Sequence, residues 1–244
     1  MMARFFFRYR WLWMPLLLGG LAYGQDLTVT GRVVLAQSGK TGTAASPDSV
    51  VLWLVPAGGS SDRNLPAAAV YPHPQLVQKN KSFQPHLLVV PVGSVVEFPN
   101  HDPFFHNVFS LFEGKRFDLG LYEAGSTKEV LFDKAGISYI FCDIHAEMSA
   151  VVIALTTPYY GISDGRGQVL IPHVPAGRYA LHIWYEAALP EQLNAMTREI
   201  ALTENNSSLG VLRLAAANRP KTHMNKYGQD YDPPTPDSPA YPQP

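Results

Sequence analysis

Residues 139–148 read YIFCDIHAEM and place Cys142, His145 and Met148 within seven consecutive positions. Cys142 is the only cysteine of the 244-residue chain, so it has no disulfide partner within the chain. A thiolate, an imidazole and a thioether together form a donor set that suits a soft metal such as copper. This spacing therefore predicts a copper site, and we expect the fourth ligand to be His106.

The residue types also indicate how such a site would be built. Copper that alternates between Cu(I) and Cu(II) favours two imidazoles and one thiolate in a trigonal arrangement, with a long axial thioether. A strand that ends at Phe141 would bring Cys142 to the rim of a β-sandwich, and the short loop after it would fold His145 and Met148 onto the same ion. His106 opens another strand-like run, so the ion would join two parts of the sheet.

The sequence around these residues is typical of an all-β protein. Residues 87–98 contain two β-rich runs separated by a Pro-Val-Gly turn, and further short runs follow at 108–112, 128–132, 137–141 and 150–155. Turn residues separate most of these runs, which is the pattern of a β-sandwich. A long helical period is absent, and only residues 190–196 are expected to form a helical turn or two.

The flanking regions indicate a second β-unit. Residues 27–34 alternate with period two, and residues 50–55 form a continuous β-rich run. After residue 157, the alternation at 169–171 and 179–183 predicts a β-hairpin, and two more candidate strands follow at 198–202 and 209–214. This later region has too few strands for a closed sandwich. We therefore expect the early strands to complete it, with the copper segment inserted between them.

The two ends of the sequence differ in composition from the rest. Three arginines, a short apolar stretch and Ala22-Tyr23-Gly24 predict a cleaved export signal, which places the mature protein in the periplasm or outside the cell. No later segment has the roughly 18 to 20 apolar residues of a membrane span. At the other end, the proline-rich residues 218–244 contain almost no aliphatic side chains and are expected to form a disordered, solvated tail.

The charge balance excludes one class of partner. Loss of the signal removes three positive charges from a formal net charge of −1 and leaves −4. The mature chain is then mildly acidic, and clustered arginines appear only in the removed segment, so no nucleic-acid partner is expected.

A resemblance to a known family rests on two motifs, PNHDPFFHNV at 99–108 and the Cys142, His145 and Met148 spacing. Together they resemble the type 1 copper signature of cupredoxins such as plastocyanin and amicyanin, over roughly residues 80–156. The resemblance implies a Greek-key β-sandwich that binds one mononuclear copper ion through His106, Cys142, His145 and Met148. It also implies that Asn107 helps to hold the two ligand loops together and tunes the sulfur through hydrogen bonding.

The flanks resemble a different family. Residues 29–33 and 167–179 are similar to the carboxypeptidase-regulatory-like or transthyretin-like β-sandwich, and cupredoxin-like proteins with such flanks resemble the methylamine-utilisation group. The predicted organisation is a signal peptide over 1–24, N-terminal strands of the second, smaller sandwich over 25–75, the copper domain over 76–157, C-terminal strands of the second sandwich over 158–217, and the tail over 218–244.

The function that these features predict is single-electron transfer with a redox partner protein such as a dehydrogenase or a cytochrome, without catalysis. A copper-handling or copper-stabilised binding module is the main alternative. A Cys142 nucleophile with His145 as its base would leave Met148 and His106 without a role. A copper oxidase or nitrite-reductase-like enzyme is disfavoured because it would need further histidine clusters. Structural zinc is disfavoured because such sites usually recruit more thiolates and no thioether.

Overall fold

A computed structural model describes residues 26–36, 46–58, 73–111, 114–217 and 222–231. The predicted signal peptide lies outside these residues, as do most of residues 57–75 and all of the predicted tail except residues 222–231. Within the described part of the chain, no helix has the length and apolar character needed to cross a membrane.

Sixteen strands and one short helix form the regular structure of the described residues. In chain order they are β1 (Leu27–Ala36), β2 (Val51–Pro56), β3 (Val77–Gln78), β4 (Phe83–Gln84), β5 (Leu87–Pro91), β6 (Ser94–Pro99), β7 (His106–Ser110), β8 (Phe117–Tyr122), β9 (Thr127–Phe132), β10 (Gly136–Cys142), β11 (His145–Leu155), β12 (Tyr160–Ile162), β13 (Gln168–Val174), β14 (Gly177–Trp184), α1 (Pro190–Met196), β15 (Arg198–Leu202) and β16 (Ser208–Ala215). The prediction of an all-β protein is confirmed.

The strands at both ends of the described chain form one sandwich. One sheet has the order β13-β1-β16 and the other the order β12-β2-β14-β15. Strand β1 alternates between buried and exposed residues, so Leu27, Val29 and Val33 enter the core while Thr28, Thr30 and Arg32 face outward. The early strands therefore complete the sheets of the later region, as the count of strands predicted.

The predicted hairpin between β13 and β14 is wrong. Strand β13 pairs with β1, whereas β14 pairs with β2 and β15, so the turn at residues 175–176 carries the chain from one sheet to the other. Ile171 and Leu181 are both buried in the shared core. A period-two pattern shows which face of a strand is buried, but it does not show which strand is its partner. Two strands that pair in one sheet and two strands that face each other across a core have the same pattern.

The remaining strands form the inserted unit. A five-stranded sheet with the order β5-β11-β10-β7-β8 packs against the pair β6-β9 around a second apolar core, which includes Phe98, Phe132 and Ile140. The chain enters this unit after β2 and leaves it before β12. The Leu54 N–H donates to the Tyr159 carbonyl at 2.9 Å, so the two ends of the insertion adjoin.

Strand β11 of the inserted unit is buried on both faces over residues 150–155. On β11, Val151 and Ile153 belong to the core of the end sandwich, while Val152 and Ala154 belong to the core of the inserted unit. This two-sided burial explains why residues 150–155 are a continuous apolar run, since neither face meets water there. The two sandwiches therefore share a strand layer and are not joined by a linker alone.

Candidate metal centre

Three side chains of the inserted unit converge on one point. The Sγ atom of Cys142 lies 3.5 Å from Nδ1 of His106 and 3.4 Å from Nδ1 of His145. The ligand atoms of the three residues all lie within 4.8 Å of one another. No other group of three or more histidine, cysteine or acidic side chains in the described residues has this geometry.

Three neighbouring strand ends deliver these side chains. Strand β10 ends at Cys142 and β11 begins at His145, and the two residues are paired across the turn that Asp143 and Ile144 form. Strand β7 begins at His106 and pairs with β10, with Val108 opposite Cys142. The site thus lies at one rim of the five-stranded sheet, and its donors come from two loops, as predicted.

Met148 lies in the apolar core that also contains Cys142. Its side chain is 1% exposed, and it is on β11, three residues after His145. The core around it is lined by aliphatic and aromatic side chains. A thioether sulfur can be buried in such surroundings without a hydrogen-bond partner, because it is only a weak hydrogen-bond acceptor.

Backbone groups surround the Cys142 sulfur. Burial raises the pKa of the thiol, and hydrogen bonds from the backbone N–H groups of Asn107, Ile144 and His145 oppose that effect. Asn107 also accepts a hydrogen bond on its carbonyl from the Asp143 N–H at 2.9 Å, which connects the two ligand loops. Asn107 is therefore placed to do both things that the resemblance implied, to join the loops and to contact the sulfur.

A carboxylate that the sequence-based prediction did not include orients His106. The Asp102 Oδ2 atom lies 2.9 Å from Nε2 of His106, and both side chains are buried. Asp102 also accepts hydrogen bonds from the N–H groups of Asn80 at 2.6 Å and Lys81 at 3.0 Å. The carboxylate keeps the proton on Nε2 and leaves the Nδ1 lone pair facing Cys142. Its position four residues before His106 was the available signal.

The two imidazoles are neutral near pH 7. Burial lowers the pKa of His106, although the hydrogen bond to Asp102 opposes this change. Burial, with a smaller effect of His106, lowers the pKa of His145 to about 4. The two ring centroids are 4.9 Å apart, and the Phe104 ring contacts both. A neutral ring carries a lone pair on one nitrogen, which is the form that binds a metal.

The remaining histidines lie away from this cluster. His101 is exposed, although it is only five positions from His106. His86 pairs with Glu186 at 2.6 Å and contacts the Ser149 carbonyl at 3.0 Å. His223 is different, because its ring packs on Phe141, the residue before Cys142, at a centroid distance of 4.4 Å. Residues 222–231 thus contact the ligand loop, unlike the solvated tail that composition predicts.

The donor set fits copper. Two nitrogen donors and one sulfur donor lie close enough to share one ion, and a thioether is buried in the adjoining core. Soft thiolate and thioether ligands select copper over hard cations, and a ligand cluster with one buried thiol is unlike the multi-thiolate sites of structural zinc. The prediction that His106, Cys142 and His145 come together is confirmed, and their binding of a metal stays a prediction.

No protein-family model matches the sequence, and no curated protein matches it. Several solved structures resemble about a third of the chain. A copper-containing nitrite reductase from Thermus scotoductus SA-01 is 24% identical with a TM-score of 0.33, over 34% of this chain and 22% of that chain. A purple cupredoxin from Nitrosopumilus maritimus is 23% identical with a TM-score of 0.31, over 34% of this chain and 99% of that chain. A variant of amicyanin in its oxidised state is 19% identical with a TM-score of 0.32, over 34% of this chain and 82% of that chain.

Proposed function

We propose that the chain is an exported copper protein that exchanges single electrons with a redox partner. The observation that carries this proposal is the approach of two imidazole nitrogens to one buried sulfur, at 3.4 and 3.5 Å. His106, Cys142 and His145 would hold one copper ion in a type 1 site, with Met148 as the axial ligand. Copper supplies the one-electron couple when it is bound.

The residues around the site support exchange of electrons without a change in the ligands. His106 is fixed by Asp102, and Cys142 is fixed by three backbone N–H groups. Held in this way, the side chains would need to move little if a bound copper ion changed its oxidation state. A site that released copper to another protein would need ligands that leave easily.

The test is the visible spectrum of the copper-loaded protein. An intense thiolate-to-copper absorption band that bleaches on reduction and returns on oxidation is the expected result. The band should be absent from Cys142→Ser, whose fold can be checked by circular dichroism. A colourless protein with bound oxidised copper would contradict the site assignment.

A second measurement separates electron transfer from copper handling. We expect the protein to keep its ion through repeated cycles of reduction and oxidation. Stoichiometric transfer of Cu(I) to a weak chelator within one cycle would instead favour the copper-handling module. The partner, which we propose to be a dehydrogenase or a cytochrome, would then have no role.

A further inference from the structure

Residues 222–231, which we call the 222–231 segment, lie on the loop that joins Cys142 to His145. The segment contacts the chain at or next to the ligands through His223, Lys226 and Tyr231. In each contact, the two residues are more than 75 positions apart in the sequence. These contacts therefore depend on the tertiary fold.

A turn gives the segment its shape. The Asn225 side-chain oxygen accepts hydrogen bonds from the N–H groups of Tyr227 at 2.9 Å and Gln229 at 3.0 Å. The Asn225 N–H donates to the Gln229 carbonyl at 2.9 Å. This turn reverses the chain and brings Tyr231 back beside His223, where their rings are 5.5 Å apart. The segment is thus a folded unit with both arms on the same side.

His223 covers Phe141 and also contacts the loop backbone. The centroids of the His223 and Phe141 rings are 4.4 Å apart. The backbone N–H of His223 donates a hydrogen bond to the Ala146 carbonyl at 3.1 Å. Phe141 precedes one predicted ligand and Ala146 follows another. The arm that contains His223 therefore bridges both ends of the ligand loop.

Lys226 contacts the middle of the loop and the neighbouring strand. Its backbone N–H donates to Asp143 Oδ1 at 2.9 Å, and its Nζ lies 2.8 Å from Asp118 Oδ2 and 3.6 Å from Asp143 Oδ2. Asp118 in turn accepts a hydrogen bond from the Asn107 side chain, and Lys226, with a smaller contribution from Asn107, lowers the Asp118 pKa. Lys226 is thereby connected to both ligand loops.

Tyr231 reaches a ligand residue itself. Its hydroxyl donates to the backbone carbonyl of Cys142 at 2.8 Å. Burial raises the pKa of Tyr231, so the hydroxyl keeps the proton that it donates. A hydrogen bond to this carbonyl fixes the backbone from which the sulfur projects.

We propose that the 222–231 segment holds the ligand loop closed and slows metal release, with Tyr231 as a positioning residue for Cys142. This inference rests on the proposed copper site. His106 and Cys142 are fully buried, whereas His145 is only partly buried, so an ion leaves most directly past His145. Movement of His145 requires movement of residues 143–147, and the segment contacts that loop at Asp143 and Ala146.

The experiment compares point variants of the full chain loaded with copper. After reduction, an excess of a coloured Cu(I) chelator is added, and the rate of copper release is recorded. We expect release to be about two- to tenfold faster in Tyr231→Phe, because one hydrogen bond is lost. His223→Ala should also release faster, and His223→Phe, which keeps a ring on Phe141, should restore much of the slow rate.

A matched control is Lys115→Ala, which removes an exposed ion pair with Asp133, 3.0 Å long, in the same unit. Its release rate should equal that of the unaltered chain. A second readout is the energy of the thiolate-to-copper band, which should shift in Tyr231→Phe and stay unchanged in Lys115→Ala. A variant with a structural defect alone would unfold more readily without moving the band.

A metal-free measurement keeps this inference separate from the proposed function. In the metal-free chain, hydrogen exchange at the His223 and Lys226 amides should be slow, because both donate to the loop. Fast exchange at both amides would overturn the inference, as would release rates in Tyr231→Phe and His223→Ala that match Lys115→Ala. Absence of the absorption band in the unaltered protein would instead overturn the proposed copper site.

Discussion

The carboxylate of Asp102 contacts the far side of the His106 ring, away from Cys142. Asp102→Asn would replace the carboxylate with a neutral amide that can present either its oxygen or its nitrogen to Nε2. We expect copper affinity to fall about tenfold or more, because the ring loses its fixed tautomer and orientation. Competition with a chelator of known affinity measures this change.

The control for Asp102→Asn is Asp133→Asn, which alters an exposed carboxylate of the same unit. It should leave copper affinity unchanged. Equal affinity in both variants would show that Asp102 does not position His106.

His106 and His145 also predict how the metal-free protein responds to acid. The pKa of His145 is lowered to about 4 by burial, from 6.5, and that of His106 shifts in the same direction. The unfolded chain therefore binds more protons than the folded chain as pH falls below about 6.5. The stability that the neutral rings contribute is complete above this pH and is lost as pH falls toward 4.

Urea unfolding of the metal-free protein between pH 7 and pH 4 tests this prediction. The free energy of unfolding should decrease over the interval, and it should decrease less steeply in His145→Gln, which cannot be protonated there. Parallel curves for the two proteins would show that His145 does not titrate with a lowered pKa.

At the level of single residues, local spacing was enough to predict part of the site. Cys142 and His145 are separated by a two-residue turn, so any hairpin at that point brings them together. Asp102 was not predicted, because a carboxylate near a histidine becomes a partner only when the backbone turns it inward. The backbone does so here through hydrogen bonds from Asn80 and Lys81, which are distant in sequence.

Among the elements, the turn before β13 depends on one glycine. Gly167 has a φ of +76°, and a Cβ atom added to it would lie 2.1 Å from the Val33 carbonyl oxygen. Gly167→Ala should therefore destabilise the protein by at least about 2 kcal/mol, because both the backbone conformation and the contact are unfavourable. Thermal or urea unfolding measures the loss.

Gly165 in the same turn provides the matched control. A Cβ atom added there would have no neighbour within 4 Å, and its backbone does not lie in the left-handed region. Gly165→Ala should change stability by no more than about 0.5 kcal/mol. If both variants were equally destabilised, the steric argument for Gly167 would be wrong.

Most strands could be predicted as elements, whereas their partners could not. The runs at 128–132 and 198–202 match β9 and β15 closely because β-rich residues are bounded there by turns. The strand-like run that His106 was expected to open corresponds to β7, which begins at His106, and β8 was not predicted. Partners depend on contacts between distant parts of the chain, which explains the error over β13 and β14.

For the whole molecule, the shared strand layer predicts that copper stabilises both sandwiches. Trp53 and Trp184 belong to the end sandwich, and they are the two tryptophans that follow the predicted signal peptide. We expect copper to raise the temperature at which their fluorescence reports unfolding. At a free copper concentration of 100 times Kd, the stabilisation would be about 2.7 kcal/mol.

In Cys142→Ser, added copper should not change the temperature at which tryptophan fluorescence reports unfolding. Two separate transitions, with the tryptophan signal unaffected by copper in the unaltered chain, would show that the sandwiches unfold independently. The covalent order of the chain favours a joint transition, since β2 and β12 of the end sandwich are joined through the inserted unit.

The predicted insertion corresponds to the observed pairing of β1 with β16 and β2 with β14. Strand counting was enough for this, because an incomplete sandwich leaves edges that need partners. The 222–231 segment lay beyond such reasoning. Its composition, rich in polar residues, gives no sign of the specific contacts that Tyr231 and Lys226 make with the ligand loop.

The two-sided burial of β11 also determines how the inserted unit could be reused. A fragment of residues 76–157 would expose Val89, Val151 and Ile153 to water as one contiguous apolar surface. Such a fragment would tend to associate with itself unless these positions were replaced by polar residues. Transplanting the site into another scaffold therefore requires a redesigned back face as well as the metal ligands.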